Sequence, residues 1–203
     1  MLKSKLSHVL LILFVVLLIP ALTVSAGRIE LPRTGTSITT KCYDTGGTII
    51  DCYETGQDGD IRAGIPWPSQ RFTVTGCDNK CLRDNFTEMM WGRPHSVEMT
   101  WEEAIVFAND LNFCCYEDWR LPNINELESL VNYNVPVPAA WLNTQGFTDV
   151  QSDFYWSSTT SAYDISTAWA VSMANGWMIT GNKERSNPIG QNTFYVLPVR
   201  GGQ

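Results

Sequence analysis

Six cysteines constrain the fold of this chain more than any other feature, because each disulfide holds two separate segments side by side. They are Cys42, Cys52, Cys77, Cys81, Cys114 and Cys115. In an exported chain, cysteines are expected to form disulfides before they serve metal binding or catalysis. The sequence holds two histidines, His8 and His95, and neither lies near a cysteine, so we expect no zinc site.

The start of the chain indicates export. Lys3 and Lys5 precede an apolar run over residues 9–19, and the small residues around Val24 and Ala26 suit a cleavage site. This run is shorter than the roughly 20 residues that a helix needs to cross a bilayer. We therefore expect a signal peptide over residues 1–26. The mature chain is expected to have no transmembrane span and to be secreted, periplasmic or held at the cell surface.

The chain is acidic. Its 203 residues carry a net charge of −7, and removal of residues 1–26 would leave 177 residues at −9. Nucleic acids and sulfated polysaccharides are bound mainly through basic surfaces. The charge therefore argues against a nucleic-acid partner and against wholesale binding of sulfated chains. The length suits one domain with a sizeable core, which we place at residues 70–203 after an N-terminal extension over 27–69.

The extension contains a turn signal and an acidic segment. Residues 45–48 (Thr-Gly-Gly-Thr) lie midway between Cys42 and Cys52 and predict a small hairpin closed by a disulfide. Asp58 and Asp60 alternate as calcium ligands would, but the further ligands and the final Glu of an EF-hand loop are missing. The segment therefore indicates an acidic turn, with calcium binding at Asp58 and Asp60 as the alternative.

The domain itself is predicted to be α+β. Two capping boxes, Thr100 with Glu103 and Asn123 with Glu126, start helices that run to about residue 112 and to the prolines at 136 and 138. Asn175-Gly176 is a strong signal for a two-residue hairpin turn. The remaining patterns predict strands at 71–75, 82–91, 168–173, 177–180 and 193–199, with mostly loop at 139–168 and 181–192.

The residues do not assemble a catalytic set. Glu102 and Glu103 lie at the start of a predicted helix, and Glu117 and Asp118 follow its end. Solvated acids are common at both positions. Ser157 and Ser158 lack the Gly-x-Ser-x-Gly frame of a nucleophile. A serine or cysteine nucleophile would have to use His95, the histidine that remains after removal of residues 1–26. We therefore expect a protein that is not an enzyme.

Several motifs, taken in order, resemble one family. They are Asp118-Trp-Arg-Leu-Pro-Asn-Ile-Asn-Glu-Leu127 with Ser129-Leu-Val131, then Phe154-Tyr-Trp-Ser-Ser-Thr159, Ala168-Trp169, and Val196-Leu-Pro-Val-Arg-Gly201. Over about residues 70–201 the chain resembles the Lcl C-terminal domain family, which is named after a Legionella collagen-like adhesin. The resemblance implies a C-type-lectin-like fold, which is an α+β domain with two helices and an antiparallel sheet.

The chain departs from two groups of proteins with related folds. The formylglycine-generating enzymes need a late pair of cysteines for copper chemistry, and this chain has no cysteine after Cys115. Lectins that bind sugars through calcium use Glu-Pro-Asn or Gln-Pro-Asp with Trp-Asn-Asp, and neither occurs here. The Arg-Leu-Pro…Glu element shared with the enzymes has a structural explanation, because Pro122 directs the chain and Arg120 can pair with a nearby carboxylate.

The resemblance also implies a disulfide pattern. Family members often carry cysteines at the positions of Cys81 and Cys115, which implies that these two pair and that Cys77 pairs with Cys114 beside them. The alternative is a local Cys77–Cys81 bridge with a vicinal Cys114–Cys115 bond, whose geometry is strained. We favour the set Cys42–Cys52, Cys81–Cys115 and Cys77–Cys114.

Ligand-binding residues are expected in the long loops. In lectin-like folds the loops at one end of the sheet form the binding face, which here corresponds to about 139–168 and 181–193. Exposed aromatic rings stack on sugars or protein partners, and loops on a rigid scaffold often carry recognition. The candidates are Trp141, Tyr163, Asp164, Trp177, Asn182, Lys183, Glu184, Arg185 and Asn187. Five other tryptophans are expected in the core, namely Trp91, Trp101, Trp119, Trp156 and Trp169.

Together these observations favour an exported binding or adhesion module that recognises a surface glycan or a cell-surface protein. The resemblance implies sulfated glycans, but at −9 this chain would need a local basic patch such as Lys183 and Arg185. The alternative is a structural subunit of a cell-surface or filament assembly, in which the protein forms a homo-oligomer. An enzyme that uses His95 is a weaker alternative. We expect no cofactor, with calcium as the alternative.

Overall fold

The computed structural model describes residues 33–34, 42–92, 95–183 and 192–201, and the expected signal peptide over 1–26 lies outside them. Within these residues the chain is α+β. Its elements are β1 (Cys42–Tyr43), β2 (Ile49–Ile50), α1 (Asp58–Ile61), β3 (Phe72–Thr75), β4 (Cys81–Asp84), β5 (Met90–Trp91), β6 (His95–Met99), α2 (Trp101–Asn109), α3 (Ile124–Glu128), α4 (Pro138–Thr144), β7 (Phe154–Thr160), β8 (Thr167–Ser172), β9 (Met178–Asn182), β10 (Phe194–Val196) and β11 (Val199–Arg200). In the part of the chain that is described, no helix is long and apolar enough to cross a membrane.

The extension contains the predicted hairpin. β1 and β2 pair antiparallel, and the Cys42–Cys52 disulfide closes them. The turn forms because the Asp44 carboxylate accepts the backbone N–H groups of Gly46 and Thr48. The acidic segment that follows is a short helix, α1, rather than the expected turn.

The first sheet of the domain has the strand order β11-β5-β4-β3. The prediction of one strand over 82–91 was wrong, because a tight turn divides the segment into β4 and β5. The Asp84 carboxylate accepts the N–H of Phe86, and Glu88 adopts a positive φ of 62°. The chain reverses at this turn, so β4 and β5 pair antiparallel.

The second sheet has the strand order β6-β10-β7-β8-β9, and its β10–β7 pair is parallel while the others are antiparallel. The predicted hairpin is confirmed: β8 and β9 pair, and Gly176 in the turn has a φ of 81°. The prediction of a single last strand over 193–199 was wrong. Pro198 has no N–H to donate to a sheet, and the segment divides into β10 in this sheet and β11 in the first.

Both predicted capping boxes are confirmed. Thr100 and Glu103 exchange hydrogen bonds at the start of α2, and Asn123 and Glu126 do so at the start of α3. Each arrangement satisfies backbone N–H groups that have no partner within the helix. α3 is shorter than predicted, because the chain leaves the helix in a turn that buries Leu130.

The segment predicted as loop after residue 139 contains a helix, so that prediction was wrong. α4 begins with Pro138 in its first turn, where the missing N–H costs no hydrogen bond. The helix buries Ala139 and Leu142 in the core. A proline can end one helix or start the next, and here Pro138 starts one. Further along, the predicted loop also contains β7, which is longer than the short Phe154–Trp156 interruption that was expected.

Two apolar clusters cover opposite faces of the second sheet. One cluster packs Tyr155 and Val171 with side chains of α3, α4 and the first sheet. The other packs Trp156 and Ala170 with the small side chains of α2. Because neighbouring residues of a strand point to opposite faces, Trp169 lies on the Val171 face and away from α2.

The two disulfides inside the domain differ from the favoured pattern. They join Cys77 to Cys115 and Cys81 to Cys114. The predicted Cys81–Cys115 and Cys77–Cys114 bridges were therefore wrong, as was the local alternative. Burial explains the observed pattern: Cys81 and Cys114 are buried beside Trp119, whereas Cys77 and Cys115 lie at the surface. We call Cys81–Cys114 the inner bridge and Cys77–Cys115 the outer bridge.

Candidate functional site

A cleft of about 320 Å³ lies where the loop between β7 and β8 meets the face of the second sheet. Trp169 and Thr180 are direct partners across β8 and β9 and contribute from the sheet. The loop contributes the opposite wall. The complete lining is Ser161, Tyr163, Asp164, Thr167, Trp169 and Thr180, and we call this site the loop cleft.

The loop that forms the wall is held by its own hydrogen bonds. Oδ1 of Asp164 accepts the hydroxyl of Ser166 at 2.6 Å and its backbone N–H at 3.0 Å. The backbone N–H and the hydroxyl of Thr167 both donate to the Asp164 carbonyl oxygen. The hydrogen bonds from Ser166, first from its hydroxyl and then from its N–H, lower the pKa of the Asp164 carboxyl. The loop therefore presents a fixed, ionised carboxylate at the cleft.

Two aromatic side chains belong to the loop cleft. Tyr163 is 100 % exposed at the tip of the loop, and Trp169 is half-buried on the sheet. Sequence reasoning found Tyr163 and Asp164 but assigned Trp169 to the core, and it did not single out the hydroxyl residues Ser161, Thr167 and Thr180. The alternation of β8 gave no signal for this, because it places Trp169 on the same face as Val171, which joins the core cluster.

Lys183 supports the loop rather than lining the cleft. Its Nζ donates to Thr160 Oγ1 at 2.7 Å and to the carbonyl oxygen of Ile165 at 3.1 Å. The same ammonium lies 4.4 Å from the centre of the Trp101 ring. Trp101 packs on the cluster that faces α2, so this cation lies on the opposite side of the sheet from Trp169.

The other candidates after β9 divide into described and undescribed residues. The backbone N–H of Asn182 donates to the side chain of Asn192 at 2.9 Å, which ties the end of β9 to the segment before β10. Neither residue lines the loop cleft. Glu184, Arg185 and Asn187 lie outside the described residues.

Trp141 and Trp177 lie apart from the loop cleft. The expectation that Trp141 belongs to a loop was wrong, because it lies on α4 and packs half-buried against Trp67 and Phe72, with ring centres 5.2 and 6.2 Å away. Trp177 is 69 % exposed, but it follows the hairpin turn at the other end of β8 and β9. The structure therefore brings Tyr163 and Asp164 together and separates both tryptophans from them.

The two acidic residues considered for calcium lie in the first turn of α1. The Asp60 carboxylate accepts the N–H of Gly56 at 3.0 Å, and the Thr34 hydroxyl donates to the Asp58 carboxylate. Among the described residues no group of three or more His, Cys, Asp or Glu side chains could hold a metal ion. Calcium binding at Asp58 and Asp60 stays a prediction.

The remaining candidates concern catalysis and the shared Arg-Leu-Pro element. His95 lies in β6, and its side chain is outside the described part of the structure. Arg120 forms a two-pronged ion pair with Glu126, at 2.7 and 2.8 Å, and also donates to the carbonyl oxygen of Gly201. The hydrogen bond with Glu126 raises the pKa of Arg120. This confirms the expected structural pairing of Arg120 with a carboxylate.

Comparison with known proteins assigns the chain to a family. The model of the Lcl C-terminal domain matches residues 80–200, inside the domain expected over 70–203. No curated protein sequence matches the chain. The matched region includes the inner bridge, Cys115 of the outer bridge, α2 to α4 and the loop cleft, and Cys77 lies just before it. Because the match covers more than half of the sequence, this chain belongs to the Lcl C-terminal domain family.

Proposed function

We propose that this chain is an exported, non-catalytic binding module that recognises a glycan in the loop cleft. The observation that carries the proposal is the composition of the cleft. Tyr163 and Trp169 supply aromatic surface, and Asp164 supplies a fixed carboxylate on a loop that its own hydrogen bonds hold in place.

This composition suits a sugar for two physical reasons. The C–H face of a sugar ring packs on an aromatic ring, which removes apolar surface from water. Sugar hydroxyls both donate and accept hydrogen bonds, and Asp164, Ser161, Thr167 and Thr180 offer acceptors and donors around the rings. Concave sites with aromatic walls and a few polar groups are the usual form of a small-molecule site.

The proposal includes a C-type-lectin-like fold and export of the chain. A C-type-lectin-like fold is supported by the family, by helices that pack on antiparallel sheets, and by β11, which closes the first sheet beside β5. Export is supported by the signal-like sequence of residues 1–26 and by three disulfides, which persist in oxidising compartments.

The test is binding of the purified, oxidised protein to a glycan array. Tyr163→Ala and Trp169→Ala should each lower binding at least tenfold, because each removes a ring from the cleft. Tyr53→Ala is the matched control, since Tyr53 is 76 % exposed and does not line the cleft. Loss of binding in the Tyr53→Ala control alone would move the site elsewhere, and a blank array would overturn the proposal.

A second candidate function, self-association in a surface assembly, is favoured by one other observation. Trp177 and Met178 are exposed next to each other at β9, which is an edge strand of the second sheet. Exposed apolar side chains on an open strand edge are typical of protein contacts. Light scattering over a range of concentrations tests this, and oligomers that Trp177→Ala disrupts would support it.

A further inference from the structure

Among the described residues that line the loop cleft, one side chain is charged, and its charge is negative. The Asp164 carboxylate carries this charge, while the other described lining residues contribute hydroxyl groups and aromatic rings. We infer that the glycan of the loop cleft carries a free amino group, as a de-N-acetylated hexosamine does. This inference rests on the proposed function. The ammonium of that sugar would pair with the Asp164 carboxylate.

Lys183 is a described cation that binds this loop, but it does not line the cleft. Lys183 holds its ammonium against Thr160 Oγ1, the Ile165 carbonyl and the Trp101 ring, on the side of the sheet that faces α2. The cleft opens on the other side, with Trp169. Hydrogen bonds and the ring already occupy Lys183, so it cannot turn to the cleft without giving them up.

An ammonium group matches two features of the cleft at once. It forms a charge-assisted hydrogen bond with a carboxylate, and it is attracted to the face of an aromatic ring. Tyr163 and Trp169 provide such rings on the same cleft as Asp164. A sulfate or uronate group in the same place would meet the Asp164 carboxylate, and none of the described residues that line the cleft is a cation, so this lining disfavours anionic sugars.

The carboxylate also keeps its charge in mild acid. Ser166 holds the pKa of Asp164 below its ordinary range, whereas amines on sugars take up a proton as the pH falls. At about pH 5.5 both partners are therefore charged, and binding of an amino sugar should be stronger there than at about pH 8.5. An N-acetylated sugar should show no such dependence.

The experiment compares four probes by isothermal titration at about pH 5.5. They are a glucosamine hexamer, an N-acetylglucosamine hexamer, a sulfated hexamer and a lysine hexamer, and the last one detects non-specific attraction to an acidic protein. We expect the glucosamine hexamer to bind, the sulfated hexamer not to bind, and the other two to bind at least tenfold more weakly.

Asp164→Asn is the decisive variant, because asparagine keeps the Oδ1 acceptor for Ser166 and removes the charge. It should weaken binding of the glucosamine hexamer by about fivefold, the upper range for an exposed ion pair. Asp110→Asn is the matched control, since Asp110 is exposed at the end of α2, across the sheet from the cleft. This control makes the same change in net charge and should leave the affinity unchanged.

Each other outcome is informative. Equal losses in Asp164→Asn and Asp110→Asn, or equal binding of the lysine hexamer, would show non-specific attraction and overturn the inference. Stronger binding of the N-acetylated or sulfated hexamer through Tyr163 and Trp169 would overturn the inference but keep a glycan site in the cleft. Binding of no glycan on the array would overturn the proposed function itself.

Discussion

The ion pair between Arg71 and Asp84 offers the sharpest test of how the first sheet is stabilised. The two side chains are 3 % and 0 % exposed, and Nη2 of Arg71 lies 2.9 Å from Oδ2 of Asp84. The guanidinium also packs over the rings of Trp67 and Phe72, at 4.5 and 4.9 Å. Asp84→Asn removes the negative charge but keeps an oxygen that can accept the N–H of Phe86.

The expected cost follows from burial. A charge left buried without its partner typically costs about 3–5 kcal/mol. For a chain of this length that corresponds to a fall in Tm of roughly 6–20 °C. The same β4–β5 hairpin provides a control, because Arg83 and Glu88 form an ion pair whose side chains are 52 % and 64 % exposed. Glu88→Gln should cost at most about 1 kcal/mol, since solvent screens exposed pairs.

Urea unfolding of the oxidised variants measures both costs under the same conditions. The slope with urea should not change, so that the shift in midpoint reports stability alone. An Arg71→Met/Asp84→Asn double variant should recover part of the loss, because no charge then stays buried. Equal costs for Asp84→Asn and Glu88→Gln would refute the reasoning, as would a double variant less stable than Asp84→Asn.

Three further predictions concern the bridges, a glycine and the acid limit of stability. Mild reduction should open the outer bridge first, because both of its cysteines are exposed. Alkylation with peptide mapping measures this, and equal opening of the inner bridge would contradict the prediction. Gly181→Ala should cost about 3 kcal/mol in thermal unfolding, because a Cβ there would lie 2.3 Å from the Trp156 ring; an unchanged Tm would contradict this. The hydrogen bond from Arg200 lowers the pKa of Asp118 from its ordinary 3.8, so this pair stabilises the fold above that pH and the stability is lost as the pH falls through the lowered pKa. Because Asp118 is largely exposed, Asp118→Asn should reduce that acid dependence by less than about 1 kcal/mol in melts at several pH values, and a larger change would contradict solvent screening.

The features predicted correctly from the sequence are those that local chemistry decides. A capping box needs two side chains three residues apart, so Thr100 with Glu103 and Asn123 with Glu126 fixed the helix starts. The Asn175-Gly176 turn likewise depends on Gly176 adopting a positive φ. The family resemblance was confirmed because its motifs are strings of neighbouring residues.

The features that sequence reasoning missed depend on contacts between distant segments. Cys77 and Cys81 are near each other in sequence, and so are Cys114 and Cys115, so only their depth in the fold decides which pairs form. Trp169 illustrates the same limit, because a strand residue joins the core or a cleft according to what covers it. Two of the six lining residues, Tyr163 and Asp164, were therefore found from the sequence, and Trp169 and Thr180 on the sheet were not.

The place of β11 has a consequence for how the chain is made. Its Val199 pairs with Trp91, more than a hundred residues earlier, and also exchanges backbone hydrogen bonds with Arg120. Partners so far apart in sequence make folding slow, and β5 keeps an unpaired edge until the last strand arrives. During synthesis the first sheet therefore stays incomplete until residue 200 is released, and unpaired strand edges of this kind are where nascent chains aggregate.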